Sequence, residues 1–519
     1  MTCTWSSGYV SDVEYLPGLY VEQAPGHVIL TCLLNGIAPP RLGGDFTYCE
    51  LGCGQGVTAI VIAAANPTIQ VVATDFNPAH IARARDAAQT AGIGNVTFLE
   101  LSFADMADGQ GLPDFDMVTL HGVWSWIGAA DRANIAAFLA RRLKPGGAVS
   151  LSYNAMPGWT ALLPMQRLLA SQASLLQGRS DERVLQALEF ARRVQDAGSG
   201  VVGGPALLDQ IRTGSGKVAA TDRAVYLAHE YLNANWQPQY HMDTAGLLAD
   251  AKLAFVGSAA LMENFPDLML KPAQRAVLDD VPPGPYRETL KDYMVNRPFR
   301  RDVFVRGARR LSDRERDRQL EPFGLVLTAV RGACRLTLDV PVGSAQLPAR
   351  HYEPILDALA VRPHTLGELR ALPALKDDPA APSMVEMAGI LIGSGQALAV
   401  PSGLSPAPSA TTRRLNHAAA RAVAEQRAAV AEMASPLTGS GTTLTTVEAL
   451  VFDALAHGRP RDEAALLAHI APTLMASNTP LMRDGKVIAE PHERLETVRE
   501  AVGWSLQNRV HLWEAMGLL

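Results

Sequence analysis

Three glycines at alternate positions, Gly52, Gly54 and Gly56, separate the apolar run FTYCEL from the helical pattern VTAIVIAAANP. Glycine lets the backbone turn sharply and approach a ligand closely, and the start of the following helix offers unpaired N–H groups. The next apolar run, QVVATDF, contains Asp75 at its end, about 20 residues after the loop, where an acid can bind ribose hydroxyls. This combination predicts a site for a cofactor that carries a ribose.

The glycine spacing discriminates between two such cofactors. Dinucleotide sites prefer G-x-G-x-x-G, whereas this loop reads G-x-G-x-G and follows an acid, Glu50. A carboxylate at that position can face the ammonium group at the amino-acid end of S-adenosylmethionine. The spacing therefore favours S-adenosylmethionine and disfavours an NAD-dependent oxidoreductase.

Residues after the fourth and fifth predicted strands are placed to meet the reacting centre, because parallel sheets bind ligands at the carboxyl ends of their strands. His121 can orient an acceptor or relay a proton, or be a structural histidine. Tryptophans nearby can form an aromatic wall for a cationic centre or simply pack in the core. The sequence predicts catalytic roles for His121 and for Tyr153, whose hydroxyl is expected to reach the acceptor. Asn154 can offer its amide carbonyl instead, and the substrate candidates are Trp124, Trp126, Asn154 and Trp159.

The N-terminal arm carries three tyrosines. Tyr15 and Tyr20 are candidate lid residues with a catalytic role, whereas Tyr9 is expected to anchor the arm. Farther along, His229, Glu230 and His241 lack the H-E-x-x-H spacing of a zinc site. We expect no metal there, and we expect His229 and His241 to contribute to a substrate pocket or an interdomain contact.

The elements that position these residues alternate between strand and helix with short connections. After the first strand come QVVATDF, NVTFLEL, FDMVTLHGVWSW and AVSLSYN, each followed or preceded by a helical pattern. Such alternation predicts a doubly wound parallel sheet. Two later segments, LLADAKLAFVGSAAL and RRDVFVRG, can complete that sheet near residue 308.

Length and composition set the broad class. The chain has 519 residues, 48% of them hydrophobic and 19% charged, which predicts a globular protein with more than one domain. A formal net charge of -6 gives no basic field for nucleic acid or anionic lipid. No apolar run spans a bilayer, and five cysteines form no disulfide framework. A cytoplasmic protein without nucleic-acid or membrane partners is expected.

The motifs resemble those of class I S-adenosylmethionine-dependent methyltransferases. The segments YLPGLYVEQAPGHVILTCLLNGIAPP, LHGVWSWI, SYNAMPGW and YLAHEYLNANWQPQYHMD are similar to bacterial methyltransferases with a methyltransferase regulatory domain, including bacterial protein lysine methyltransferases. The resemblance implies an α/β, Rossmann-like core of seven strands with a helical insertion. It also implies cofactor contacts from the glycine loop, Asp75, Phe76, Ser102, Phe103 and His121.

The sequence further predicts five regions. These are an arm and cofactor-binding core at 1–160, a helical cap or dimer contact at 161–236, a regulatory region completing the sheet at 237–310, a winged-helix-like middle domain at 311–405 and a helical domain at 406–519. The last two make the C-terminal part mainly α-helical. A homodimer is one expected assembly.

The expected reaction is methyl transfer to a protein or peptide amine. A lysine must first lose its proton, which costs roughly 4 to 5 kcal/mol at pH 7 and calls for a dry aromatic slot more than a strong base. The alternatives are a small-molecule or carboxylate O-methyltransferase, for which His121 would matter more as a base, and a non-catalytic regulator that binds S-adenosylmethionine.

Overall fold

The computed structural model describes residues 6–199, 208, 209, 211, 222–404, 407–476, 482, 483, 486–488 and 490–519. The expected boundary at 405/406 lies outside these residues. Up to residue 306 the elements are α1 (Pro25–Leu34), β1 (Thr47–Leu51), α2 (Val57–Ala65), β2 (Gln70–Asp75), α3 (Pro78–Ala91), β3 (Val96–Glu100), α4 (Phe103–Asp108), β4 (Phe115–Leu120), α5 (Ala129–Arg142), β5 (Leu143–Asn154), α6 (Leu163–Ala173), α7 (Ser180–Asp196), α8 (Arg223–Tyr231), α9 (His241–Ala249), β6 (Leu253–Ser258), α10 (Pro266–Met269), α11 (Pro272–Asp279), α12 (Pro285–Val295) and β7 (Phe299–Arg306).

Seven strands form one sheet in the order β3-β2-β1-β4-β5-β7-β6. The first five pair in parallel, and β7 runs antiparallel to both β5 and β6. The chain therefore reverses strand order next to β1, which opens a crevice at the carboxyl ends of β1 and β4. The predicted seven-stranded Rossmann-like core, completed by the two late strands, is confirmed.

Local sequence signals set the element ends beside this crevice. Asn77 caps α3 by accepting a hydrogen bond from Ala79 N at 2.9 Å, and Pro78 fits the first helical position. Ser102 and Asp105 form a reciprocal capping box at the start of α4. Each cap begins a helix shortly after a strand ends, at the same edge of the sheet. The loops that follow β2 and β3 therefore converge there.

The helical insertion packs as a separate apolar cluster beside this edge. Buried side chains from α6, α7 and α8, including Leu169, Val184 and Leu227, pack with Val10 and Val13 of the N-terminal arm. This packing holds the arm across the carboxyl ends of the strands.

The C-terminal part combines helices with short strands. Its elements are α13 (Asp313–Leu320), β8 (Gly324–Leu327), β9 (Thr337–Val340), β10 (Gly343–Gln346), α14 (Ala349–Val361), β11 (His364–Thr365), α15 (Leu366–Arg370), α16 (Met384–Gly393), β12 (Ala397–Val400), α17 (Ala410–Ala424), β13 (Ala431–Ser435), β14 (Ser440–Leu444), α18 (Thr446–Ala456), α19 (Glu463–Ala476), β15 (Met482–Arg483), β16 (Lys486–Val487), α20 (Pro491–Asn508) and α21 (Val510–Ala515).

Two features of this part bear on the predicted domains. The three-stranded sheet β11-β8-β12 combines with α14, α15 and α16 in a helix-strand-helix-helix-strand order, with β8 added from before the first helix. The region from α17 onward docks on the core, where Asn66 Nδ2 donates to Gly439 O at 2.7 Å and Thr412 Oγ1 donates to Ala64 O at 3.0 Å. We keep the five-region division as a proposal.

Among the helices that the structure describes, none is long and apolar enough to cross a membrane.

Candidate active site

The glycine loop follows β1 and forms the floor of the crevice. A methyl group built on Gly54 would meet nothing within 4 Å, so that backbone faces open space. At Gly56 it would lie 2.6 Å from Phe98 Cε1 and 2.8 Å from Ala84 Cβ, so this position packs α2 closely against its neighbours. A methyl group on Gly52 would lie 2.5 Å from Val123 Cγ2, in the loop after β4. Of the three glycines, Gly54 alone leaves open space where a side chain would stand.

Asp75 at the end of β2 is fixed against that loop. Its Oδ2 accepts a hydrogen bond from Gly54 N at 2.8 Å, and its Oδ1 accepts one from Asn77 N at 2.9 Å. The ring Nδ1 of His80 lies 3.3 Å from Oδ1. Because the backbone holds both carboxylate oxygens in place, the acid is preorganised to accept hydrogen bonds from a diol.

Glu50 lies one residue before the end of β1 and is 4% exposed. Its Oε2 has no hydrogen-bond partner among the described residues. Burial raises the pKa of this carboxyl to about 8. A buried carboxylate oxygen without a partner is costly unless a positive charge or a donor reaches it.

Two cavities that share Gly52, Asp75 and Phe76 in their linings lie beside the loop. The larger has a volume of about 900 Å³ and is lined by Glu50, the Gly52–Gly54 backbone, Asp75 and His121. The smaller, of about 580 Å³, is lined by Asp75, Phe76, Ser102 and Phe103. We call them together the donor cavity.

The donor cavity fits S-adenosylmethionine. The ammonium group of this cofactor would find Glu50, the ribose would find Asp75, and the adenine would find the apolar surfaces of Phe76 and Phe103. The open backbone at Gly54 leaves room between these ends. All the predicted cofactor residues except Gly56 line the cavity, and Gly56 shapes it through packing.

The N-terminal arm covers the donor cavity with its tyrosines. The ring of Tyr20 stacks on His121 with centroids 3.6 Å apart, and Tyr9 meets Phe76 edge-on at 5.7 Å. Tyr15 packs against Trp126 at 5.7 Å. Burial raises the pKa of Tyr20 to about 12, so its hydroxyl stays protonated at neutral pH.

His121, directly after β4, lies between the donor cavity and a second cavity. Burial lowers the pKa of its imidazole to about 4. The ring is therefore neutral at pH 7 and can accept or donate one hydrogen bond, but it carries no charge to repel a sulfonium.

The second cavity, which we call the acceptor cavity, has a volume of about 1660 Å³. It shares Tyr15, Tyr20, His121 and Trp126 with the donor cavity. Its further aromatic lining consists of Tyr153, Trp159, Tyr226, Tyr231 and Phe299, and its polar lining includes Ser152, Asn154, Glu230, Arg223 and Arg301. The acceptor cavity is thus aromatic with a few fixed polar groups, as ligand sites commonly are.

Tyr153 and Asn154 at the end of β5 differ in what they present to this cavity. The Tyr153 hydroxyl donates to Asp302 Oδ2 at 2.6 Å, so it is directed into the buried interior and only the ring lines the cavity. Asn154 Nδ2 donates to Glu230 Oε1 at 2.9 Å. The expectation that Tyr153 offers its hydroxyl to an acceptor does not fit this geometry.

Three expected substrate residues lie outside the cavity lining. Trp124 is 1% exposed and packs in the core with Leu51 and Phe138, because the chain turns between it and Trp126. His229 is directed toward Val13 O at 3.1 Å and so anchors the arm. His241 is buried against Asp302 Oδ2 at 2.9 Å.

The structure also brings in residues that the sequence analysis did not assign to the site. The sequence predicted no site role for Glu230, which appeared there only beside His229 and His241 in a set without zinc-site spacing. It also predicted no role for four further residues: Tyr226, Tyr231, Phe299 and Arg301. All five come from α8, which precedes β6 in the chain, and from β7, the last strand of the sheet in chain order. The one available signal was the aromatic and acidic content of YLAHEY. Among the described residues, no group of three His, Cys, Asp or Glu side chains could hold a metal ion.

Comparison with known proteins identifies the two central regions. Residues 49–149 match a family model described as "Methyltransferase domain", and residues 223–306 match one described as "Predicted methyltransferase regulatory domain". Over 532 aligned residues the chain is 33% identical to the uncharacterized protein sll1526 of Synechocystis sp., covering 99% of this chain and 100% of that protein.

Two further likenesses concern parts of the molecule or its fold. A stretch of 108 residues, 20% of this chain, is 34% identical to 40% of the tRNA 5-carboxymethoxyuridine methyltransferase of Escherichia coli. The solved structure of PKMT2 from Rickettsia typhi in complex with AdoHcy superposes with a TM-score of 0.69 at 19% identity, over 97% of this chain and 99% of that chain. At that identity the superposition shows a common fold.

Proposed function

The chain belongs to the S-adenosylmethionine-dependent methyltransferases with a methyltransferase regulatory domain, and we propose that it methylates lysine side chains of a protein or peptide. The cofactor class follows from the family. The acceptor is the part that we infer from the chemistry of the acceptor cavity.

The observation that carries the proposal is the aromatic wall shared by the two cavities. Tyr15, Tyr20 and Trp126 line both, so an acceptor group would reach the donor cavity between ring faces and edges. Rings of this kind attract an alkylammonium group and shed water when it enters. Desolvation in such a slot lowers the pKa of a lysine, which favours the neutral amine that can attack a methyl group.

The polar groups of the acceptor cavity favour an amine over a carboxylate. Arg301 Nε is paired with Glu22 Oε1 at 2.7 Å, so its charge is already neutralised. Glu230 adds a buried acid that would repel a carboxylate substrate. The resemblance of the sequence motifs to bacterial protein lysine methyltransferases supports the same acceptor.

The predicted residues that line the two cavities have the following proposed roles. Glu50 and Asp75 hold the two polar ends of S-adenosylmethionine, which supplies an electrophilic methyl group when bound. His121 and Tyr20 form the stacked partition where the two cavities meet. Trp126, Trp159 and Asn154 line the path of the lysine side chain.

The proposal is tested by labelled methyl transfer to peptides. A pool of short acetylated peptides with one central lysine is compared with the same pool carrying norleucine in its place, at saturating S-adenosylmethionine. Label in the lysine pool alone supports the proposal. Equal labelling of both pools, or binding of S-adenosylhomocysteine without any labelling of lysine, would refute it and direct attention to the O-methyltransferase and regulator alternatives.

A further inference from the structure

The acceptor cavity contains a buried carboxyl with an unusual setting. Glu230 lies on α8 and is 7% exposed, yet it lines the same cavity as Tyr15 and Trp126. Its Oε1 accepts a hydrogen bond from Asn154 Nδ2 at 2.9 Å. Asn154 is itself held at the end of β5, because its backbone N donates to Ser125 Oγ at 2.8 Å. The position of the carboxyl is therefore fixed from the core sheet.

The two arginines that line this cavity form no ion pair with the carboxyl, although the charge of Arg223 acts on it. Arg223 donates to Ile211 O and lies over the ring of Tyr226 at 4.9 Å. Arg301 is paired with Glu22. Within the part of the chain that the structure describes, no ion pair involves Glu230. A buried carboxyl without a direct ion-pair partner is costly, so its presence in a ligand cavity favours a ligand that supplies a positive charge.

We propose that Glu230 binds the ammonium group of the incoming lysine through its carboxylate and then removes one proton from it. This inference rests on the proposed function, because it assumes an amine acceptor. It deepens that function by naming the residue that selects a cationic side chain and converts it into a nucleophile.

The step balances in protons and electrons. An N–H bond of the ammonium breaks, its proton binds a carboxylate oxygen of Glu230, and the electron pair stays on nitrogen. That pair forms the new N–C bond, while the S–C bond of the donor breaks and leaves its pair on sulfur. The proton then passes from Glu230 to water in the open acceptor cavity, so each transfer releases one proton.

The charges facing Glu230 allow this titration at neutral pH. Burial raises the pKa of Glu230 to about 7, against the hydrogen bond from Asn154 and the charge of Arg223. Burial also raises the pKa of the facing phenols Tyr15, Tyr226 and Tyr231, so they stay neutral. His121 lines the cavity but has a pKa of about 4, and Arg301 stays paired with Glu22. Among these groups Glu230 alone changes charge near pH 7.

The test begins with binding, which does not depend on turnover. The protein is titrated by ligand-observed NMR with Nα-acetyl-lysine amide and with its neutral isostere Nα-acetyl-norleucine amide. We expect the wild type to prefer the lysine probe at least tenfold, and Glu230→Gln to lose that preference. Glu189→Gln is the matched control, since Glu189 lies on the exposed surface of α7 and loses the same charge outside the cavity.

Methyl transfer to the lysine probe then gives the kinetic readout. We expect Glu230→Gln to lower kcat/KM about 100-fold or more and to abolish an inflection near pH 7, with affinity for S-adenosylhomocysteine unchanged. Asn154→Asp is a second variant that places another acid beside Glu230, and it should move the inflection to higher pH.

The outcomes separate the two proposals. If the wild type methylates lysine while Glu230→Gln keeps both the lysine preference and the pH inflection, the role of Glu230 is refuted and the proposed function stands. If the wild type binds S-adenosylhomocysteine but methylates no lysine, the proposed function fails. In that case the lysine-over-norleucine preference still decides whether Glu230 is a cation site.

Discussion

Alanine substitutions at Gly54 and Gly56, which are two positions apart, should impair the protein in different ways. Gly54 and Gly56 both have positive φ, +53° and +75°. Alanine at either position carries the cost of a left-handed conformation, roughly 1–2 kcal/mol. They differ in surroundings, because a methyl group on Gly54, which lines the donor cavity, meets nothing within 4 Å, whereas one on Gly56 meets Phe98 and Ala84.

The magnitudes follow from that difference. At Gly56 the contacts of 2.6 and 2.8 Å add an overpacking cost of about 1–3 kcal/mol, so Gly56→Ala should lose about 2–5 kcal/mol of unfolding free energy. Gly54→Ala should lose only about 1–2 kcal/mol. Its methyl group should weaken cofactor binding about 10–100-fold, since it occupies space that the ligand needs.

The assay combines urea unfolding with calorimetric titration by S-adenosylhomocysteine. Gly36→Ala is the control, because Gly36 has φ of +67°, meets nothing within 4 Å and lies outside both cavities. It should reproduce the stability loss of Gly54→Ala with wild-type affinity. Wild-type affinity in Gly54→Ala would refute the placement of the cofactor over this loop, and equal stability of Gly56→Ala and Gly36→Ala would refute the packing argument.

Three other substitutions test the roles of Glu50, Asp75 and Tyr153. Burial raises the pKa of Glu50 from 4.5 to about 8, so this acid costs nothing below pH 4.5 and destabilises the ligand-free protein as pH rises toward 8. Between pH 6 and 8 in thermal unfolding, Glu50→Gln should therefore lose about 2 kcal/mol less stability than the wild type. The same substitution should weaken S-adenosylmethionine binding. An unchanged pH dependence of stability would contradict this reasoning. Asp75→Asn should weaken S-adenosylhomocysteine about 10–100-fold in calorimetry but leave sulfonium analogues without the ribose unaffected, and equal loss for both would argue against a ribose contact. Tyr153→Phe should cost about 1–3 kcal/mol of stability through Asp302 while methylation of lysine probes stays within a few-fold of wild type, and a hundredfold slower transfer at full stability would restore Tyr153 as a catalytic residue.

The fold and the donor side of the site were accessible from the sequence because their signals are local. Gly54 and Asp75 sit at strand ends marked by apolar runs, and the alternation of strand and helix fixes which ends share an edge. The expected sheet, with its two late strands β6 and β7, is present. The family model of the methyltransferase domain matches the same stretch of chain, residues 49–149.

The acceptor side was less accessible because it is assembled from distant segments. Trp124 and Trp126 are two positions apart, but the turn after β4 sends one into the core and the other into the cavities. His241 meets a partner, Asp302, that no local pattern reveals. The position of Glu230 in the acceptor cavity depends on a hydrogen bond from Asn154, on another element, which the sequence does not reveal.

The most direct test of lysine methylation is transfer of labelled methyl groups from S-adenosylmethionine to a protein extract of the organism that encodes this chain. We predict label that precipitates with acid, disappears with protease, withstands base and is recovered as methylated lysine after hydrolysis. Base-labile label would indicate a carboxylate acceptor, and acid-soluble label would indicate a small molecule. Either result, or no transfer by protein that binds the cofactor, would contradict the proposed function.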